Sequence, residues 1–66
     1  MKEQLIIALK KHAEGHIEKH KVNVNVLLNK ITGIAEHPDV IETIEKELDI
    51  IAKYDDQLNI LKKYFH

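Results

Sequence analysis

Lys21 to Leu28 reads KVNVNVLL, and the architecture turns on whether this stretch is strand or helix. Val22, Val24 and Val26 alternate with Asn23 and Asn25, the period-two pattern of a half-buried strand. Counted at helical spacing, Ile6, Leu9, Ala13, Ile17, His20, Val24, Leu27 and Ile31 recur at steps of three and four, so one stripe runs straight through the segment. Val24 lies on that stripe, while Val22 and Val26 fall nearly opposite it with Ala8 and Gly15. A β-branched residue costs a helix only about a few tenths of a kcal/mol, which burial of a face overrides. A lone strand would have nothing to pair with, because no second strand-like run exists. The stretch reads as helix.

Thr32-Gly33-Ile34 is the next punctuation: glycine tolerates the left-handed conformation that closes a helix, and the apolar residue after it can fold back on the last turn. Pro38, Asp39 and Glu42 then suit the first turn of a second helix, with His37 or Asp39 as cap. Ile41, Ile44, Leu48, Ile51, Leu58 and Phe65 continue the stripe, with Tyr54 and Leu61 taking over as it drifts. The expectation is one all-α domain over 1–66, with a helix over about 2–31, a loop over about 32–37 and a helix over about 38–65. Glu42 with Lys46 and Asp49 with Lys53 are spaced for exposed ion pairs.

Two long helices and a short loop fold as an antiparallel hairpin. Folding about residue 36 brings Val24 to Leu48, His20 to Ile51 and Ile17 to Asp55. A hairpin has one shared seam, so Ile7, Val22, Val26, Ile50 and Ile60 are left over as an expected interface, together with Leu5. A run of such residues suggests a partner surface, and the economical arrangement is two hairpins dimerising into a four-helix bundle.

Size argues the same way. A chain of 66 residues buries only ~60% of its unfolded surface, and without cysteine neither disulfides nor thiolate metal sites supplement the core. Oligomerisation remains. Ten basic against eleven acidic residues leave a net charge of -1, without a broad footprint for nucleic acid. Every basic residue is lysine, which removes the guanidinium fork that reads guanine or phosphate bidentately. Leu5 to Leu9 is too short an apolar run to span a bilayer, and the start lacks the marks of a signal peptide. The expected compartment is the cytoplasm.

Five histidines are the compositional oddity. His12, His16 and His20 are spaced by four, a ladder along one side of a helix that can chelate a divalent transition metal, with Asp55 and Asp56 approaching as oxygen ligands. The alternative is structural: His20 in the seam, His16 at its border, His12 solvated, and Asp55 satisfying a partly buried imidazole. A third reading is a pH switch in which protonated seam imidazoles loosen the bundle. His12-Ala13-Glu14-Gly15-His16 is not the metalloprotease pattern, because its glutamate comes one place late. His37 belongs to the loop or cap and His66 to the chain end.

No catalytic residues are assigned and no enzyme is expected. Tyr54-Asp55-Asp56-Gln57 reads as a solvated face, since helical neighbours point about 100° apart. Gly15, at heptad spacing from Ala8 and Val22, marks either a close helix approach or a tolerated surface glycine. Tyr64 and Phe65 with Lys62 and Lys63 read as a helix end covering the core.

Gly33 to Val40, Glu47 to Leu58 with its YDDQL run, the opening Met1 to Leu5 and the later HIEKH of His16 to His20 resemble short uncharacterised proteins of T4-like tailed phages, including phages of marine cyanobacteria. Those proteins tend to carry an EHPD turn and usually a glycine where this chain has Ala35. The resemblance implies a phage accessory protein acting in the host cytoplasm, with no activity to transfer residue by residue. The expected function is thus a non-enzymatic helical interaction module that self-associates and binds a host or phage protein. The alternatives are a nucleic-acid-associated factor with lysine–phosphate contacts, or a metal-binding bundle.

Overall fold

The computed structural model describes residues 1–30 and 39–66. Helix α1 spans Lys2–Leu28 and helix α2 spans Asp39–Tyr64, and the two pack against each other along their length. Glu3 near Phe65 at one end, and His20 against Glu47 further along, make the packing antiparallel. The molecule is a rod with principal extents of 51 × 15 × 12 Å.

KVNVNVLL is helical throughout. Val24 is half-buried, Val22 and Val26 are exposed, and Asn23 sends its amide across to Glu47. The alternation is therefore a by-product of valine on two faces. Helix α1 closes at Asn29, which stays right-handed at φ -75° and ψ -10°, while Lys30 N–H donates to the Leu27 carbonyl at 3.1 Å in a tightened last turn. The helix thus ends about one turn short of the expected Ile31. Ile31, the Gly33 closure, the His37 cap and Pro38 lie outside the described residues. Asp39 and Glu42 occupy the first turn of α2, and Lys62 and Lys63 the last, each complementing the helix dipole.

Burial follows a strict heptad rhythm of alternating three- and four-residue steps. On α1 it passes through Ile6, Lys10, Ala13, Ile17, His20, Val24 and Leu27. On α2 it passes through Val40, Ile44, Glu47, Ile51, Tyr54, Leu58 and Leu61, all buried or half-buried. Four expected seam residues are corrected: Leu9, Ile41, Leu48 and Phe65 stand 53%, 57%, 49% and 51% exposed. Polar Lys10 and Glu47 occupy the stripe that Leu9 and Leu48 miss by one residue, or about 100° of helix. The register shifts too, since His20 meets Glu47 rather than Ile51.

The core is thin. Among the described residues only Ala13 and Leu58 are buried apolar side chains, at 1% and 8% exposure. The register puts small Ala13 level with the broad ring of Tyr54, and Leu58 level with Lys10, whose stem can lie along it while its ammonium reaches water. Ile50, expected as a leftover, is half-buried within the single hairpin. The expected Glu42–Lys46 and Asp49–Lys53 pairs are not closed. Glu18 and Lys21 make an exposed contact at 3.3 Å instead, and Lys53 Nζ lies 5.3 Å from the Tyr54 ring centroid. A Cβ built on Gly15 meets nothing within 4 Å, so within the hairpin it is a surface glycine rather than a close approach.

Replacing Gly15 by Ala should stabilise the hairpin by about 0.5–1 kcal/mol, because the helix gains backbone rigidity without a clash. Leu58→Ala should cost about 2–3 kcal/mol by opening the core. Urea unfolding followed by circular dichroism measures both.

Candidate functional site: a histidine column on the seam

Four-residue spacing stacks His12, His16 and His20 along α1, and the heptad carries the ladder obliquely from solvent into the seam: His12 is exposed, His16 half-buried and His20 buried. Tyr54 arrives from α2. Its ring stacks on His16 with centroids 4.4 Å apart and planes 10° apart, and His16 continues the stack towards His20 at 6.0 Å and 10°. His12 caps the column edge-on, 4.4 Å from His16 and 5.7 Å from Tyr54. The offset and edge-to-face arrangements are those that aromatic quadrupoles favour.

His20 Nδ1–H donates to the Glu47 carboxylate. Asn23 Nδ2 donates to the same carboxylate, 3.3 Å from Oε1 and 3.4 Å from Oε2. These contacts hold the Glu47 carboxyl below its ordinary value of 4.5: the His20 hydrogen bond acts first, burial opposes it, and Asn23, the His20 charge and Lys19 add to it. His16 lies below the ordinary imidazole value of 6.5, chiefly through burial and then through the positive charges of His12, Lys19, His20 and Lys53. Its Nδ1 is shut from solvent without a hydrogen-bond partner, so the neutral ring is the form this site accommodates.

The expected quartet of His12, His16, His20 and Asp55 is not gathered. Among the described residues no group of three or more histidine and carboxylate side chains is placed to hold a metal ion. His20 is committed to Glu47, and Asp55 is exposed with its carboxylate 3.5 Å from the Asn59 amide. Tyr54 stands where the expected register puts a carboxylate. The structural reading of the ladder is therefore right in placing His20 in the seam, His16 at the border and His12 in solvent, and is corrected in its satisfying acid, which is Glu47. The missed residues, Glu47 and Asn23, carry one signal: Glu47 falls three after Ile44 and four before Ile51, on the apolar stripe itself.

The interface candidates do not form one patch. Val26 and Ile60 lie on the same side of the hairpin as His12 and half-buried Ile50, Ile7 lies on the other side, and Val22 points away from the partner helix. A shallow groove of about 230 Å³ between Leu9, His12, Gln57, Ile60 and Leu61 marks the first side. Among the described residues no helix is long and apolar enough to cross a membrane. No family model, curated protein or solved structure matches the chain.

Acid should weaken the fold in two stages. His16 takes a proton more readily when unfolded, so stability is full above about pH 6.5 and falls as pH drops through and below that value. Glu47, whose carboxyl is more acidic when folded, adds a second loss below about pH 4.5. Thermal melts across pH 3–8 should show both stages, and His16→Gln should erase only the first. Replacing His20 or Glu47 singly with Leu strands its partner and should destabilise, whereas the double replacement should recover most of that loss.

Proposed function

We propose that this protein is a non-enzymatic helical interaction module: a hairpin that pairs with a second copy and binds another protein through one broad face. The supporting observation is the charge of the face on the His12 side. Exposed Leu5, Leu9, Val26 and Ile60 are interleaved there with exposed Lys19, Lys46 and Lys53 around His12 and His16. Among the described residues its carboxylates are Asp39 at the start of α2 and Glu47, which lines a groove with Val26 and is held by His20 and Asn23. Apolar anchors among these exposed lysines fit a partner helix with an apolar stripe flanked by acidic residues. A phage accessory protein acting on a host or phage protein in the host cytoplasm is the setting that the sequence resemblance suggests, and the charge pattern is compatible with it.

The same lysines favour one other reading, a nucleic-acid-associated factor. It is the weaker of the two, because the lysines are few, no arginine accompanies them, and the apolar residues between them have no role on a phosphate backbone.

Fluorescence anisotropy with a designed acidic amphipathic helix, a basic helix carrying the same apolar stripe, and single- and double-stranded oligonucleotides separates the readings. The acidic helix should bind, and the Lys46→Glu/Lys53→Glu variant should weaken it by about tenfold or more. Oligonucleotide binding that collapses with salt, with neither helix bound, would assign the face to phosphate instead.

A further inference from the structure

The flank opposite the basic face has a pattern of its own. Its residues follow the seam stripe by one position and repeat every seven: Ile7, Glu14, Lys21 and Leu28 on α1, and Ile41, Leu48, Asp55 and Lys62 on α2. All eight are exposed. The His20–Glu47 register fixes their levels along the rod. Ile7 and Lys62 lie near the chain termini, Glu14 and Asp55 at the next level, then Lys21 with Leu48, and finally Leu28 with Ile41 beside the connection between the helices.

That order is self-complementary when reversed. Laid head to tail against a second copy, each helix lies on its own copy reversed: Ile7 meets Leu28 of the partner copy, Glu14 meets Lys21 of the partner copy, and Ile41 covers the stem of Lys62 of the partner copy. Laid head to head, each helix lies on the other helix of the second copy, and Glu14 meets Asp55 of the partner copy, acid against acid. We infer that two copies pair through this flank about a two-fold axis perpendicular to the rod, forming an antiparallel four-helix bundle, with Glu14 of each chain facing Lys21 of the other and Asp55 beside that pair. Only an isologous, self-complementary patch closes such a pair. The basic face fails that condition, since it would set Lys19, Lys46 and Lys53 against their own copies.

Size agrees. A face of the rod 51 Å long and 15 Å wide is of the order of ~800 Å² that each partner of a stable dimer contributes. The thin core supplies the reason for pairing: Ile7, Leu28, Ile41 and Leu48 are four large apolar side chains at about half exposure, and covering them gives the apolar burial that one seam does not.

The inference rests on the proposed pairing, and the test tells the two apart. The chain has no cysteine, so Ile7→Cys and Leu28→Cys single variants can be mixed and oxidised. Within one chain these positions lie about 30 Å apart by helical rise, far beyond disulfide reach, so a bond between them is intermolecular. The expected result is a mixed Ile7→Cys/Leu28→Cys dimer in preference to Ile7→Cys homodimer. Light scattering should show dimer for the natural chain, association weakened by at least about tenfold for Lys21→Glu, and recovery for Lys21→Glu/Glu14→Lys. Circular dichroism confirms that each variant remains helical, which matters because Lys21 also contacts Glu18 at 3.3 Å. A solitary species at high micromolar concentration overturns pairing altogether. A dimer that cross-links Ile7→Cys to itself overturns the orientation, and one disrupted by Ile60→Glu but indifferent to Leu48→Glu overturns the choice of face.

Discussion

A carboxylate placed among apolar side chains is the constraint on which this hairpin depends. Glu47 sits on the contact stripe of α2 between Ile44 and Ile51, where an ordinary heptad would carry leucine or isoleucine. Desolvating it is costly unless its oxygens find donors. In the observed register His20 and Asn23 both supply them. Slide one helix by a turn in either direction and Glu47 faces Ile17 or Val24, neither of which can donate. The apolar layers alone tolerate such slippage, because isoleucine, valine and leucine are near-equivalent in volume. The polar layer does not. It adds little net stability, since desolvation offsets most of the attraction, but it separates one register from its neighbours.

The same layer explains what the sequence made legible. Two helices, their approximate lengths, their antiparallel pairing and most of the α1 stripe follow from apolar spacing, because burial of that stripe is what folds the chain. The stripe on α2 was harder to read, because apolar counting favours Leu48 over Glu47 and Ile41 over Val40 whenever both sit beside a stripe. Helical spacing from Ile44, Ile51 and Leu58, which repeat every seven, points to 47 and 54 as the intermediate positions whatever occupies them. Chemistry and geometry disagreed there, and geometry prevailed. A one-residue displacement on α2, together with a fold point placed at residue 36, carried the expected register away by a turn. Asp55 was thereby named as the acid beside the histidines in place of Glu47.

The histidine ladder was visible as spacing, while its environment was not. Spacing by four guarantees neighbouring rings, but what the rings meet depends on the other helix, and Tyr54 in place of a carboxylate turns a candidate ligand set into a stack. His16 is the consequence: a half-buried ring between tyrosine and histidine, with one nitrogen closed off. Neutrality is built into that position by burial and by the lysines around it. A transition-metal site needs additional donors, and the Glu47 carboxylate next along the seam already accepts from His20 and Asn23.

The two flanks of the seam differ in kind, and the difference follows from which residues occupy the same heptad positions on the two helices. In an antiparallel pair each flank is built from like positions of both helices, so a charge pattern along α1 is read against a reversed pattern along α2. On the Ile7 flank acids of one helix lie level with acids of the other, one step away from Lys21, and the sequence of signs becomes its own complement on reversal. On the His12 flank, among the described residues, Glu47 is held by His20 and Asn23 and the exposed charges beyond Asp39 are lysines, which no reversal makes complementary. A pair joined through the first flank leaves two copies of the second facing outward on opposite sides of the bundle. Under the proposed function such a particle would bind two partners, or one partner twice, with an avidity for a repeated acidic target above that of either face alone. In the proposed pair, burying the palindromic flank would supply the apolar area the thin core lacks, while the lysine-bearing flank would stay free because it repels its own copy.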